Sequence, residues 1–306
     1  MYPIKVTKTA TLKGHTGSVY ALANDASGNF FYSGCGNGMV IRWSVGNQAE
    51  GTLSARVQGN IFSLHALEES SLLLIGQMQG GIHVIDLQEK KELRHLAYHQ
   101  KGVYDIQRNS ERNRIFSAGG DGKISVINPT DFSLTTFLQL SPKSVRQVAF
   151  HPKGKIFAAG CSDNIVYIIE EESLKTIHVL PEHGNSVFSV CFSPDGKYLL
   201  SGSRDAQLRV WNAQESFRLM HKIPAHLSTI NSIVYSPDSK YFATASRDKT
   251  IKIWDAESFV LLKVIDKEKL DGHINSVNKL LWLTSGNLVS CGDDRSVMVW
   301  QVGASG

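Results

Sequence analysis

The chain has 306 residues, a formal net charge of +4 and a pI near 8.8, with no basic block of the kind that marks a nucleic-acid footprint. Its length is enough to bury a substantial core, residues 1–12 lack the apolar stretch of a signal peptide, and no window approaches a membrane span. Four cysteines, Cys35, Cys161, Cys191 and Cys291, have no metal-type spacing and there is no Asn-x-Ser/Thr acceptor, so we expect packed, reduced thiols in a cytoplasmic protein that needs no cofactor and no metal.

In chain order, residues 4–12 alternate like a strand. One pattern then recurs seven times and closes on Trp43, Ile85, Ile127, Ile169, Trp211, Trp254 and Trp300, at spacings of 42, 42, 42, 42, 43 and 46. A period of this size, built from short strands, is the signature of a propeller with one four-stranded sheet per repeat. The fifth repeat predicts strands over 187–192, 198–201 and 208–211 and a fourth over 217–222, with turns at Ser193-Pro194-Asp195-Gly196 and Arg204-Asp205. No stretch sustains a 3.6-residue apolar period. The predicted fold is therefore all-β: a seven-bladed β-propeller of four-stranded antiparallel blades over 1–302, with a flexible tail at 303–306. The last spacing is longer because of one charged insertion, Asp266-Lys267-Glu268-Lys269-Leu270-Asp271, expected as a loop.

In the first strand of every repeat two apolar residues fall three apart, as in Val19/Leu22, Val187/Val190 and Val277/Leu280. A regular strand would send such a pair to opposite faces. A β-bulge between them restores both to the core and re-aims the residue in between. The re-aimed residues are Tyr20, Phe62, Tyr104, Arg146, Phe188, Asn231 and Asn278.

A polar set recurs as well. His183, Ser201 and Asp205 precede Trp211; His226, Thr244 and Asp248 precede Trp254; His273, Ser290 and Asp294 precede Trp300. The first repeat has His15, Ser33 and Trp43 but Asn37 in place of the aspartate. The second has Val57, Ile75 and Gln79 at these positions, the third His99, Ser117 and Asp121 closing on Ile127, and the fourth Asp163 with Ser141 and Ala159. Serine, histidine and aspartate together suggest a hydrolase triad. A nucleophile is needed once, however, whereas this set recurs at fixed distance from a tryptophan.

With Gly14-His15, Gly272-His273 and Trp254-Asp255, the chain resembles the WD-repeat β-propeller family over all seven repeats, about 4–301. The resemblance implies that indole, hydroxyl, imidazole and carboxylate form a buried hydrogen-bonded chain, so that these residues are structural. It also implies that strand 4–12 completes the last blade and closes the ring. Blades two and four should lean on apolar packing, and blades five to seven should be the best specified.

The same resemblance implies that partners bind the face carrying the turns before each first strand and after each second strand, here called the top face. On it we expect Tyr20, Phe62, Met78 and Tyr104 as an aromatic and thioether arc, then Arg146, Phe188, Arg204, Asn231, Arg247, Asn278 and Asp293. Aromatic residues and arginine are enriched in binding hot spots, and arginine matches carboxylates. The expected function is a non-catalytic protein–protein interaction scaffold, monomeric by itself within a larger complex. It would bind a peptide or loop with an apolar anchor and an acidic group. One alternative is an enzyme or small-molecule site in the central channel; another is nucleic-acid binding through Arg146, Arg204 and Arg247, which the mild charge disfavours. No nucleotide loop, His-Glu-x-x-His or Gly-x-Ser-x-Gly motif occurs. Gly34-Cys35-Gly36-Asn37-Gly38 enters a strand and reads as a tight turn.

Overall fold

A computed structural model describes residues 4–25, 28–46, 51–67, 70–109 and 111–304. Seven four-stranded antiparallel sheets follow one another along the chain. In the fifth blade the strands are Val187–Phe192, Tyr198–Ser203, Gln207–Asn212 and Arg218–Pro224. The seventh blade pairs Val277–Trp282, Asn287–Gly292 and Val297–Ala304 with the amino-terminal strand Ile4–Leu12, in the register Ile4↔Ala304, Val6↔Val302 and Leu12↔Val297. The two ends of the described chain thus share one sheet, and the ring has no open edge between its first and last blades.

The core lies between neighbouring sheets. Trp254 and Phe242 of blade six pack on Leu200 and Val210 of blade five, and Trp43 and Val19 of blade one meet Val289 and Val297 of blade seven. Strands buried on both faces explain why the second strand of each repeat is almost continuously apolar or small.

Every first strand breaks register at the expected place. In blade one Val19 pairs with Cys35 and Ala21 with Gly34, leaving Tyr20 unpaired; the same irregularity recurs between Val187 and Ser189 and between Val277 and Lys279. The extra residue bends the strand and aims its own side chain toward the channel mouth.

Three local features differ from expectation. The insertion is a one-turn helix, Lys267–Leu270, whose N-cap Asp266 accepts from the Lys269 amide, and Asp271 pairs with Lys8 and Lys267. Four residues are too few to register as a helical period. The last strand of blade five starts at Arg218, because Phe217 is still in the turn at φ 58 with its ring buried beside Phe192. Phe132 and Phe259 occupy the same left-handed position in blades three and six, also buried. Finally, the carboxy-terminal strand runs through Ala304, two residues into the expected tail, while 305–306 lie outside the described residues.

Candidate functional site

The recurring polar residues come together inside the blades. In blade five the Trp211 indole donates to Ser201 Oγ at 2.9 Å, Ser201 Oγ meets His183 Nε2 at 2.8 Å, and His183 Nδ1 meets Asp205 Oδ2 at 3.1 Å. Blade six repeats this through Trp254, Thr244, His226 and Asp248 at 2.9, 2.8 and 2.9 Å. Blade seven does so through Trp300, Ser290, His273 and Asp294. Each carboxylate then accepts a backbone amide from the residue after the histidine: Gly184 at 2.9 Å, Leu227 at 2.9 Å and Ile274 at 3.1 Å. The network therefore starts on a buried indole and ends by fixing a top-face turn.

Electrostatics follow from this wiring. Burial alone would raise the Asp294 carboxyl, but the hydrogen bond from His273, its charge and the Ser296 hydroxyl bring it down to about 2. Asp205 and Asp248 are likewise held well below the usual carboxylate range against the cost of burial. Burial lowers His183 and His226, which therefore stay neutral. Ser33, Ser201, Thr244 and Ser290 are fully buried and already accept an indole N–H, so none offers a nucleophile to a substrate.

The incomplete blades substitute in ways that spacing alone conceals. In blade one Ser33 takes the Trp43 indole at 2.7 Å and meets His15 at 2.6 Å, but the Asn37 amide turns to Thr16 and His15 Nδ1 has no partner. Burial lowers His15 to about 4. In blade three the Ser125 hydroxyl contacts Ser117 where an indole would stand. Blade four keeps more than Asp163 by itself: Ser141 Oγ donates to it at 2.7 Å and the Tyr167 hydroxyl at 2.9 Å. Blade five holds an unforeseen guanidinium, Arg209, which contacts His183 and the Glu182 carbonyl and lies 3.0 Å from Asp205. Its parity with Trp211 placed a charge on the buried face, and that was the available signal.

All seven bulge residues surround one cavity of about 320 Å³ at the top of the channel, floored by Gln147 and Lys279. Tyr20 meets Phe62 edge-on at 5.5 Å, and Phe62 stacks on Tyr104 at 5.5 Å. The Arg146 guanidinium lies between Tyr104 at 4.3 Å and Phe188 at 4.7 Å, and its Nε donates to Ser162 Oγ at 2.8 Å. The arc is thus one continuous stack across five blades, with each ring half-buried. Opposite it, the Asn231 amide donates to the Val277 carbonyl at 2.8 Å, and that of Asn278 to the Val19 carbonyl at 3.0 Å and to Asp293 at 2.8 Å. These amides fasten neighbouring blades.

Met78, Arg204 and Arg247 do not line the cavity; they stand exposed on the outer rim. Two exposed rim residues escaped the sequence reading: Leu227 and Ile274, which follow the network histidines. The opposite end of the channel opens into a cavity of about 760 Å³ lined by His65, Gln107, Arg108 and Cys191, among others, and Gln147 and Lys279 form the waist between the two. Asp105 near this waist is buried and its carboxyl raised by burial, while it accepts from the Val148 amide at 3.0 Å and from Gln107 at 3.1 Å. Among the described residues no group of three or more histidine, cysteine or acidic side chains could hold a metal ion, and no helix is long and apolar enough to cross a membrane.

The family model described as "WD domain, G-beta repeat" matches residues 6–44, 90–128, 174–212, 217–255 and 266–301, more than half of the chain. The unmatched stretches hold blades two and four, where the polar set is broken. A model for the WD40 domain of anaphase-promoting complex subunit 4 matches 135–187. The solved WD40 β-propeller domain of Doa1 is similar with a TM-score of 0.84 and 21% identity, covering 97% of both chains. Among curated proteins, U3 small nucleolar RNA-associated protein 21 of Saccharomyces cerevisiae is 22% identical over 56% of this chain and 18% of its own length. Guanine nucleotide-binding protein subunit beta-like protein 1 of Mus musculus is 26% identical over 46% of this chain and 44% of its own. THO complex subunit 3 of Arabidopsis thaliana is 22% identical over 68% of this chain and 65% of its own. The chain thus spans between 18% and 65% of the length of these relatives.

Proposed function

Because this chain belongs to the WD-repeat family, we propose that it is a non-catalytic scaffold whose top face holds a partner protein on a rigid ring. The observation that carries this reading is the convergence of seven bulge-aimed side chains, one from each blade, on a single mouth. A framework that spends a bulge in every blade to gather side chains at one opening supports binding there. The hydroxyls of Ser33, Ser201, Thr244 and Ser290, by contrast, are taken up by indoles, and that of Ser117 by Ser125. The guanidinium held between Tyr104 and Phe188, with Arg204 and Arg247 exposed outside it, favours a partner with carboxylates next to apolar groups. Two of the relatives carry the name of an assembly or of a guanine nucleotide-binding protein subunit, which accords with a chain that works inside a complex.

Affinity capture from native lysate tests this, comparing the parent with the triple variant Tyr104→Ala, Arg146→Glu, Arg204→Glu. Proteins retained by the parent and lost from the folded variant are the expected result. Identical captures by both would remove the top face from the role. Captured material that is nucleic acid, released with a steep log-log salt dependence, would replace the protein reading with the nucleic-acid one.

A further inference from the structure

We infer that the outer rim of blades five to seven is the anchor for that partner, and that it takes a segment with two apolar side chains bracketed by carboxylates. This assignment rests on the top-face reading above and adds a position and a chemistry to it. Leu227 is 94% exposed and Ile274 53% exposed, at equivalent positions of adjacent blades. The other five blades have Thr16, Gln58, Gln100, Pro142 and Gly184 there, none of them a large exposed aliphatic. Among the described residues neither side chain belongs to a core cluster. Their backbones, however, are fixed: the Leu227 amide is held by Asp248 at 2.9 Å and the Ile274 amide by Asp294 at 3.1 Å, each carboxylate itself anchored through a buried histidine. Apolar side chains on turns that are already rigid lose little freedom when a partner covers them, which is what an anchor needs.

The surrounding charge chooses the occupant. Arg204, Arg247, Lys249 and Arg295 are exposed on the other set of top-face turns, those after the second strands of blades five to seven, and among the described residues none of them enters an ion pair. Lys249 and Arg295 hold the left-handed turn position that is Gly38, Gly80 and Gly122 in blades one to three and Asn164 and Ala206 in blades four and five, so blades six and seven alone place a cation there among the described residues. The segment that fits is acidic, with aliphatic residues over Leu227 and Ile274 and carboxylates over the four cations.

The test is selection of a random peptide display library on the immobilised full chain, followed by fluorescence anisotropy of the selected peptides. The pool is expected to be enriched in sequences that combine acidic and aliphatic residues. Their affinity should fall about tenfold or more for Leu227→Asp and for Arg247→Glu, with the melting temperature unchanged because both side chains are exposed. Selected peptides that bind these variants as tightly as the parent would overturn the rim assignment. If the same peptides are lost to Tyr104→Ala/Arg146→Glu, the rim falls while the top-face reading stands; if neither pair matters, both fall. A pool without enrichment also overturns the rim, leaving lysate capture to judge the wider reading.

Discussion

His15 sits in a network with one link missing. Its Nε2 meets Ser33, but Nδ1 has no acceptor because Asn37 has turned to Thr16. Asn37→Asp should restore the acceptor found in blades five to seven, adding about 1 kcal/mol of stability and raising the His15 pKa. An unchanged urea midpoint would show that the site tolerates its orphan. His226→Ala is the reverse experiment: it leaves Thr244 and Asp248 without their shared partner and should cost about 1–3 kcal/mol. Gln79→Asp should change little, since Val57 rather than a histidine stands opposite. The pH dependence has a definite sign. His15 and His65, held neutral mainly by burial, have pKa values lowered to about 4 from 6.5. Between those values the unfolded chain binds protons that the folded chain does not, so the histidine contribution to stability falls as pH drops from 6.5 to 4 and levels off below, where the depressed aspartates Asp205, Asp248 and Asp294 begin to lose theirs. The slope is at most about 1.4 kcal/mol per pH unit for each histidine. A urea midpoint that stays flat between pH 7 and pH 4.5 would contradict this.

At the scale of the element, the bulge was legible because it changes parity, and a one-residue parity change moves every later side chain to the other face. The recurring polar set was legible for the same reason, since it repeats at fixed distance from the closing residue. What escaped has no period. Phe132, Phe217 and Phe259 are tucked inward from left-handed turn positions, which no alternation marks. Ser141 and Tyr167 together satisfy Asp163 by side-chain reach rather than by matching residue type. Strand Ile4–Leu12 buries Val6 and Leu12 in the outer layer of blade seven. Removing residues 1–12 strips that layer and leaves Val297–Ala304 as an open edge, so proteolytic cutting should begin in blade seven. Cutting that begins elsewhere would argue that the strand is dispensable.

Across the whole molecule, the ring and its closure could be read from the repeat, and so could the seven bulge residues at the mouth, though Met78, Arg204 and Arg247, expected beside them, stand outside it. Their use could not, because stacking decides which groups remain free: the aromatic arc packs largely on itself and on Arg146, while Leu227 and Ile274 stand exposed outside it. Sequence spacing locates a side chain; it does not say what covers it. The central claim is that the buried histidine–aspartate pairs are a frame that holds the binding face rigid. Native-state hydrogen exchange measures this most directly. The amides of Gln100, Gly184, Leu227 and Ile274 belong to exposed residues yet donate to Asp121, Asp205, Asp248 and Asp294. They should exchange far more slowly than the amides of Thr16 and Gln58, the equivalent residues in the blades that lack the aspartate. Equal, fast exchange at all six would contradict the account and leave the polar set without its structural role.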